Sequence, residues 1–127
     1  MTSAALCLAL AVYYEARSEP FDGQLAVAEV VINRVESERF PDDVCAVVTQ
    51  GGERRNKCQF SFYCDGKPEN PRHLIAWTRA QEVAEWVIDG EHRLGLTATH
   101  YHADYVEPDW MDDYVYLGRV GTHLYYE

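Results

Sequence analysis

Glu15 closes the most apolar stretch of the sequence, directly behind Val12, Tyr13 and Tyr14. A carboxyl group held against apolar and aromatic walls loses hydration, and its pKa rises. That is how a glutamate stays protonated near neutral pH and serves as a general acid. The competing reading is an exposed helix-end glutamate, paired with Arg17 or balanced by Glu19. A second set lies in Thr99-His100-Tyr101-His102-Ala103-Asp104. Residues two apart on a strand share a face, so His100, His102 and Asp104 would project together as metal ligands, with His123 or Asp109 to complete the set. The plainer reading is a strand whose polar residues line a cleft. Third, Gln59, Ser61, Tyr63, Tyr101, Tyr105 and Trp110 offer the ring faces and polar tips of a sugar-binding groove. No phosphate-binding glycine loop, dinucleotide fingerprint or serine-nucleophile elbow occurs.

These residues need elements to position them. Ala4 to Tyr14 is an unbroken apolar run of 11 residues. No Lys or Arg precedes it, and Glu15-Ala16-Arg17 follows at once, so it reads as a buried helix from Ser3, as N-cap, to about Arg17 rather than an export signal. Glu19-Pro20 breaks that helix. A second is expected from after Asp22 to about Glu38, with Leu25, Ala28, Val31, Ile32 and Val35 on its apolar face and Gln24, Glu29, Asn33, Arg34 and Glu36 on the other. Asp42 or Asp43 would cap a short third helix. Residues 50 to 72 are turn-rich and read as a binding loop, with Cys58 to Cys64 as a strand or tight hairpin. A fourth helix is expected from about His73 to Asp89, stopped by Gly90. Thr97 to Tyr105 and Arg119 to Tyr126 then read as short strands separated by Pro108-Asp109-Trp110. The expected class is α+β, helices first and strands last.

The 127 residues suit one domain, residues 1–127, able to bury a core of its own. Eleven basic against 21 acidic residues give a net charge of −10. That argues against nucleic-acid backbones and anionic membrane surfaces as partners, since both select clustered Lys and Arg. No apolar stretch is long enough to span a bilayer. Four cysteines allow three pairings. Cys58 and Cys64 could close a short loop, whereas Cys7, inside the apolar helix, is as readily a buried thiol.

Several segments resemble the SleB-type cell-wall hydrolases, the spore-cortex-lytic family. They are Ala9-Leu10-Ala11-Val12-Tyr13-Tyr14-Glu15-Ala16-Arg17-Ser18-Glu19-Pro20, Gly23-Gln24-Leu25-Ala26-Val27-Ala28 and Val31-Ile32-Asn33-Arg34. Cys58-Gln59-Phe60-Ser61-Phe62, Ala98 to His102, Pro108-Asp109-Trp110 and Gly118 to His123 follow in family order. The resemblance implies a lysozyme-like, lytic-transglycosylase-like domain that cleaves the β-1,4 bond between N-acetylmuramic acid and N-acetylglucosamine. It places the catalytic glutamate on Glu15 and needs no cofactor. Gln59, Ser61, Tyr63, Thr99, Tyr101, His102, Tyr105 and Trp110 would hold the glycan. The expected partner is peptidoglycan at the bacterial wall, reached from the periplasm, the cell exterior or a virion. A phage-encoded or gene-transfer lysin on a larger particle, or a separate wall-binding partner, would fit. A metal-dependent peptidoglycan peptidase or amidase on His100, His102 and Asp104, and a non-catalytic glycan-binding module, are the alternatives.

Overall fold

In the computed structural model, which describes residues 1–52 and 58–127, helix α1 (Ser3–Ala16) lies at the centre. It is apolar on nearly every side, the pattern of a helix buried along most of its length, and among its large apolar residues only Leu6 is exposed. It packs against α2 (Phe21–Val35), α3 (Val44–Val48) and α4 (Leu74–Asp89). Leu8, Ala9, Ala11 and Val12 are fully buried there, beside Val31, Val47, Val83 and Val87. The N-cap is Thr2, whose hydroxyl accepts from the Ala5 N–H at 3.1 Å. Ser3, the expected cap, is already the first helical residue.

The other helix ends follow local chemistry. Pro20 leads directly into α2, two residues earlier than expected, since its fixed φ suits a helix start. Asp43 caps α3 through the Ala46 N–H at 3.0 Å. His73 caps α4 through Nδ1, and Gly90 ends it in the left-handed conformation at φ 78°. Cys7 is not a free thiol: it is bonded to Cys45, tying α1 to α3. Cys58 is bonded to Cys64. The segment between them is no strand or hairpin but ends in a 3-10 turn, Ser61–Cys64, with Phe60 and Phe62 turned into the core.

The last third forms one antiparallel sheet of β1 (His100–Ala103), β2 (Tyr116–Val120) and β3 (His123–Tyr126), in the order β1-β3-β2. The segment from Arg119 to Tyr126 is therefore not one strand, and the strand expected over Thr97 to Tyr105 pairs only from His100 to Ala103. Gly121 and Thr122 turn the chain between β2 and β3, Gly121 with φ 59°. The Glu19 carboxylate holds that turn from the α1–α2 loop, accepting from the Thr122 N–H at 2.8 Å and its hydroxyl at 2.7 Å.

Helix α2 lies between two apolar clusters. Leu25, Ala28 and Val31 face the helices, whereas Ala26 and Val30 meet Ala98 and Tyr125 on the sheet side. Its polar residues are consequently not a solvated face. Glu29 and Arg34 are 3% and 5% exposed. Each binds the strand-entry segment, as buried polar groups must. Glu29 accepts from the N–H groups of Leu94, Gly95 and Leu96 at 2.8, 2.8 and 3.1 Å. Asn33 donates to the Leu96 and Ala98 carbonyls, both at 2.8 Å, and Arg34 Nε donates to Thr99 O at 2.8 Å. Five polar bonds and a bond to Thr99 thus fix how the chain enters β1.

Candidate active site

The fold brings the end of α1 against β1. Glu15, in the last turn of α1, receives a hydrogen bond from the Tyr101 hydroxyl at 2.9 Å on Oε1. Burial raises the Glu15 pKa, and the bond from Tyr101 opposes the rise. The carbonyl end of a helix also disfavours negative charge close by. Burial, with the Glu15 charge beside it, holds the Tyr101 hydroxyl well above its ordinary range. Tyr101 therefore remains a donor whatever the state of Glu15. Its ring is fixed by His123 at 5.0 Å and by Tyr125, its register partner across β3, at 5.6 Å.

Glu15 opens into a cleft of about 430 Å³, a size suited to one or two sugar rings. Tyr14, Arg34, Gln59, Phe60, His100, His102, Tyr105, Val106, Trp110 and His123 line it with Tyr101. Among the described residues Glu15 is the only carboxylate in this lining. Glu19 is committed to the Thr122 turn, and Asp104 pairs with Arg119 at 2.6 Å. Tyr14 stacks on Phe62 at 4.9 Å. Trp110 packs beside β1, 5.5 Å from His100 and 5.7 Å from His102. Tyr105 stands at the rim, 86% exposed.

Of the residues expected to hold a sugar, Gln59, Tyr101, His102, Tyr105 and Trp110 meet at this cleft. Three others do not line it. Ser61 is exposed at the start of the 3-10 turn, and Tyr63 turns away to pack beside Gly52. Thr99 is buried beneath β1, with its hydroxyl 3.0 Å from His100 Nδ1. The proposed metal set does not converge, and no group of three His, Cys, Asp or Glu side chains suited to a metal occurs among the described residues. His100 lies in a stack with Tyr114 at 4.0 Å. Burial pushes its pKa down to about 4, with Arg34 and Arg39 adding to the effect. Both ring nitrogens of His102 are engaged, Nε2 with the Tyr126 hydroxyl and Nδ1 with Ala103 O, each at 2.8 Å.

Arg34, Phe60 and Val106 join the cleft without having been singled out as lining residues in the sequence. The one available signal was Arg34 itself, a cation that follows the apolar run Val30-Val31-Ile32 with only Asn33 between.

Comparison with known proteins adds to this geometry. The profile of the family described as Cell Wall Hydrolase matches residues 18–126. The chain belongs to the cell wall hydrolase family. This cell wall hydrolase is 31% identical over 118 residues to a spore cortex-lytic enzyme of Halalkalibacterium halodurans, covering 93% of the chain and 33% of that relative. It is 29% identical over 120 residues to a spore cortex-lytic enzyme of Bacillus subtilis, covering 94% of the chain and 36% of the relative. The chain thus spans about a third of the length of these relatives. Among solved structures, the cell wall hydrolase matches the catalytic domain of the germination-specific lytic transglycosylase SleB from Bacillus anthracis. The TM-score is 0.79 at 27% identity, over 100% of this chain and 97% of that one. It also matches the catalytic domain of the Bacillus cereus SleB protein, with a TM-score of 0.73 at 25% identity over 99% and 91% of the two chains. The expected family and the expected α+β fold are therefore both present.

Proposed function

We propose that residues 1–127 form a single catalytic domain that degrades peptidoglycan as a lytic transglycosylase, with Glu15 as both acid and base. The observation that carries this reading is a lone carboxylate, desolvated and hydrogen-bonded, in a cleft with aromatic walls. The family profile begins after Glu15, so the role of this residue rests on its place in the cleft.

Glu15 in its acid form protonates the bridging oxygen between N-acetylmuramic acid and N-acetylglucosamine. The C–O bond breaks with oxocarbenium character at the muramic anomeric carbon. Retaining and inverting hydrolases then rely on a second carboxylate, as nucleophile or as base for water. The transglycosylase route does without one. The Glu15 carboxylate takes the proton of the muramic 6-hydroxyl, whose oxygen bonds to the anomeric carbon and leaves a 1,6-anhydro end. The acid is thereby regenerated. Tyr101 stabilises the carboxylate that exists between the two steps, and so acts on Glu15 as a positioning residue. Trp110, Tyr105 and Tyr14 offer ring faces to the sugars, with Gln59 at hand for polar groups, while His102, both ring nitrogens engaged, holds the wall in place. The reaction calls on no cofactor and takes place at the bacterial wall. Because the acidic chain gains no general attraction to an anionic wall, a larger particle or a wall-binding partner would deliver it.

Glu15→Gln keeps the side chain's shape and removes its proton. Clearing of purified sacculi should fall by at least about a hundredfold, in the range general acid catalysis supplies. A variant that clears them at nearly the wild-type rate would overturn the assignment.

A further inference from the structure

Arg34 is the charged side chain of the cleft that the acid–base steps leave unused. It is 5% exposed, deep in the wall contributed by α2. Its Nε is committed to Thr99 O, and its guanidinium carbon lies 4.8 Å from the Phe40 ring centre and 5.6 Å from that of Phe60. No carboxylate pairs with it among the described residues, where the one ion pair joins Arg119 to Asp104. Burial lowers its pKa, and the groups opposing that are the hydroxyls of Tyr101 and Tyr114 rather than an acid. A guanidinium stays charged in proteins, and a buried charge without a counter-ion is costly to hold. Nor does Arg34 pair with Glu15, whose carboxylate is bonded to Tyr101 instead. The cation therefore faces another part of whatever fills the cleft.

We propose that Arg34 forms a carboxylate subsite that receives the free lactyl carboxylate of an N-acetylmuramic acid residue. This deepens the glycosidase reading and rests on it. The chemistry is selective. A guanidinium whose Nε is already used still presents its two terminal nitrogens, a fork matched to a carboxylate. N-acetylglucosamine carries no acid. On a muramic residue that bears a stem peptide, the lactyl carboxyl is an amide and offers only a neutral carbonyl. The cleft should thus favour strands from which the peptide has been removed. The reaction that supplies its preferred substrate is then hydrolysis of the amide between the lactyl group and the first amino acid of the stem.

The test uses Glu15→Gln protein, so that ligands bind without turnover. Calorimetry compares tetrasaccharides of alternating N-acetylglucosamine and N-acetylmuramic acid, with lactyl groups as free acids or as methylamides, and chitotetraose. The free acid should bind about ten- to a hundredfold more tightly than the methylamide, the margin of a charge-assisted pair over a neutral bond. In the same background Arg34→Lys should keep part of that gap. Arg34→Gln should close it while leaving methylamide affinity in place. Equal binding of acid and methylamide by the Glu15→Gln protein would overturn the subsite and leave the glycan reading standing. That comparison needs no change at Arg34, so a poorly folding Arg34 variant does not blunt it. Failure of all three oligosaccharides to bind would overturn the glycan reading, and the subsite with it.

Discussion

Replacing Tyr101 by phenylalanine removes one oxygen atom and tests the coupling at the centre of the site. The lost bond is 2.9 Å long and ends on Glu15 Oε1. The ring that remains keeps its packing against His123 and Tyr125, so the sheet should hold. The bond strengthens as Glu15 gives up its proton, because its acceptor becomes an anion. Hydrogen bonds to charged groups contribute about 1.5–3 kcal/mol, and about 1.4 kcal/mol of barrier is tenfold in rate. Proton transfer is incomplete in the transition state, so the low end applies, a loss of about tenfold or somewhat more in kcat/KM. The pH profile carries a second signature. The first step needs Glu15 protonated, so kcat/KM falls as pH rises through its pKa. The Tyr101 bond lowers that pKa, and its loss should move the alkaline limb to higher pH. The assay is release of soluble muropeptides from sacculi across a pH series. Wild-type kcat/KM with an unmoved limb would refute the coupling.

Other perturbations follow from the same geometry. Glu15 is held with a raised pKa. Its protonated form therefore favours folding at low pH, and that contribution is lost as pH rises from the ordinary carboxyl range through the folded pKa. Glu15→Gln should melt at a higher temperature than wild type at pH 7–8, with the gain vanishing towards pH 4, as thermal melts followed by circular dichroism would show. Glu29→Ala strands three backbone N–H groups, and urea unfolding should show a loss of about 2–4 kcal/mol. The two disulfides should separate stability from activity. Cys7–Cys45 spans 38 residues of sequence and should contribute about 4 kcal/mol, whereas Cys58–Cys64 spans 6 and should contribute about 2 kcal/mol. Cys58 adjoins Gln59 and Phe60 of the cleft wall, so a Cys58→Ser/Cys64→Ser variant should lose more activity per degree of melting temperature than Cys7→Ser/Cys45→Ser.

The helices were legible because their signals are local: an apolar run, a helical period, an aspartate cap, a terminal glycine. The pairing of Glu15 with the cleft was legible in part, since the residues before it are apolar in any fold. What the sequence hid depends on partners far along the chain. Glu29 and Arg34 look like a solvated helix face until residues 94–99 return to cover them. The turn at Gly121-Thr122 lacks the Asn-Gly or Asp-Gly signature of a two-residue hairpin, and its carboxylate clamp, Glu19, lies 103 residues away. Cys58 to Cys64 has a strand-like alternation, but the disulfide closes so short a loop that the chain coils instead. Ser61, Tyr63 and Thr99 have the right chemistry for sugars, and backbone direction alone takes them off the cleft wall.

The central claim is that one carboxylate, Glu15, performs both proton transfers. Mass spectrometry of the muropeptides released from sacculi tests it most directly. The wild-type protein should release 1,6-anhydro-muramic ends, absent when Glu15→Gln replaces it. Reducing muramic ends from the wild-type protein would show that water was the nucleophile and would contradict it.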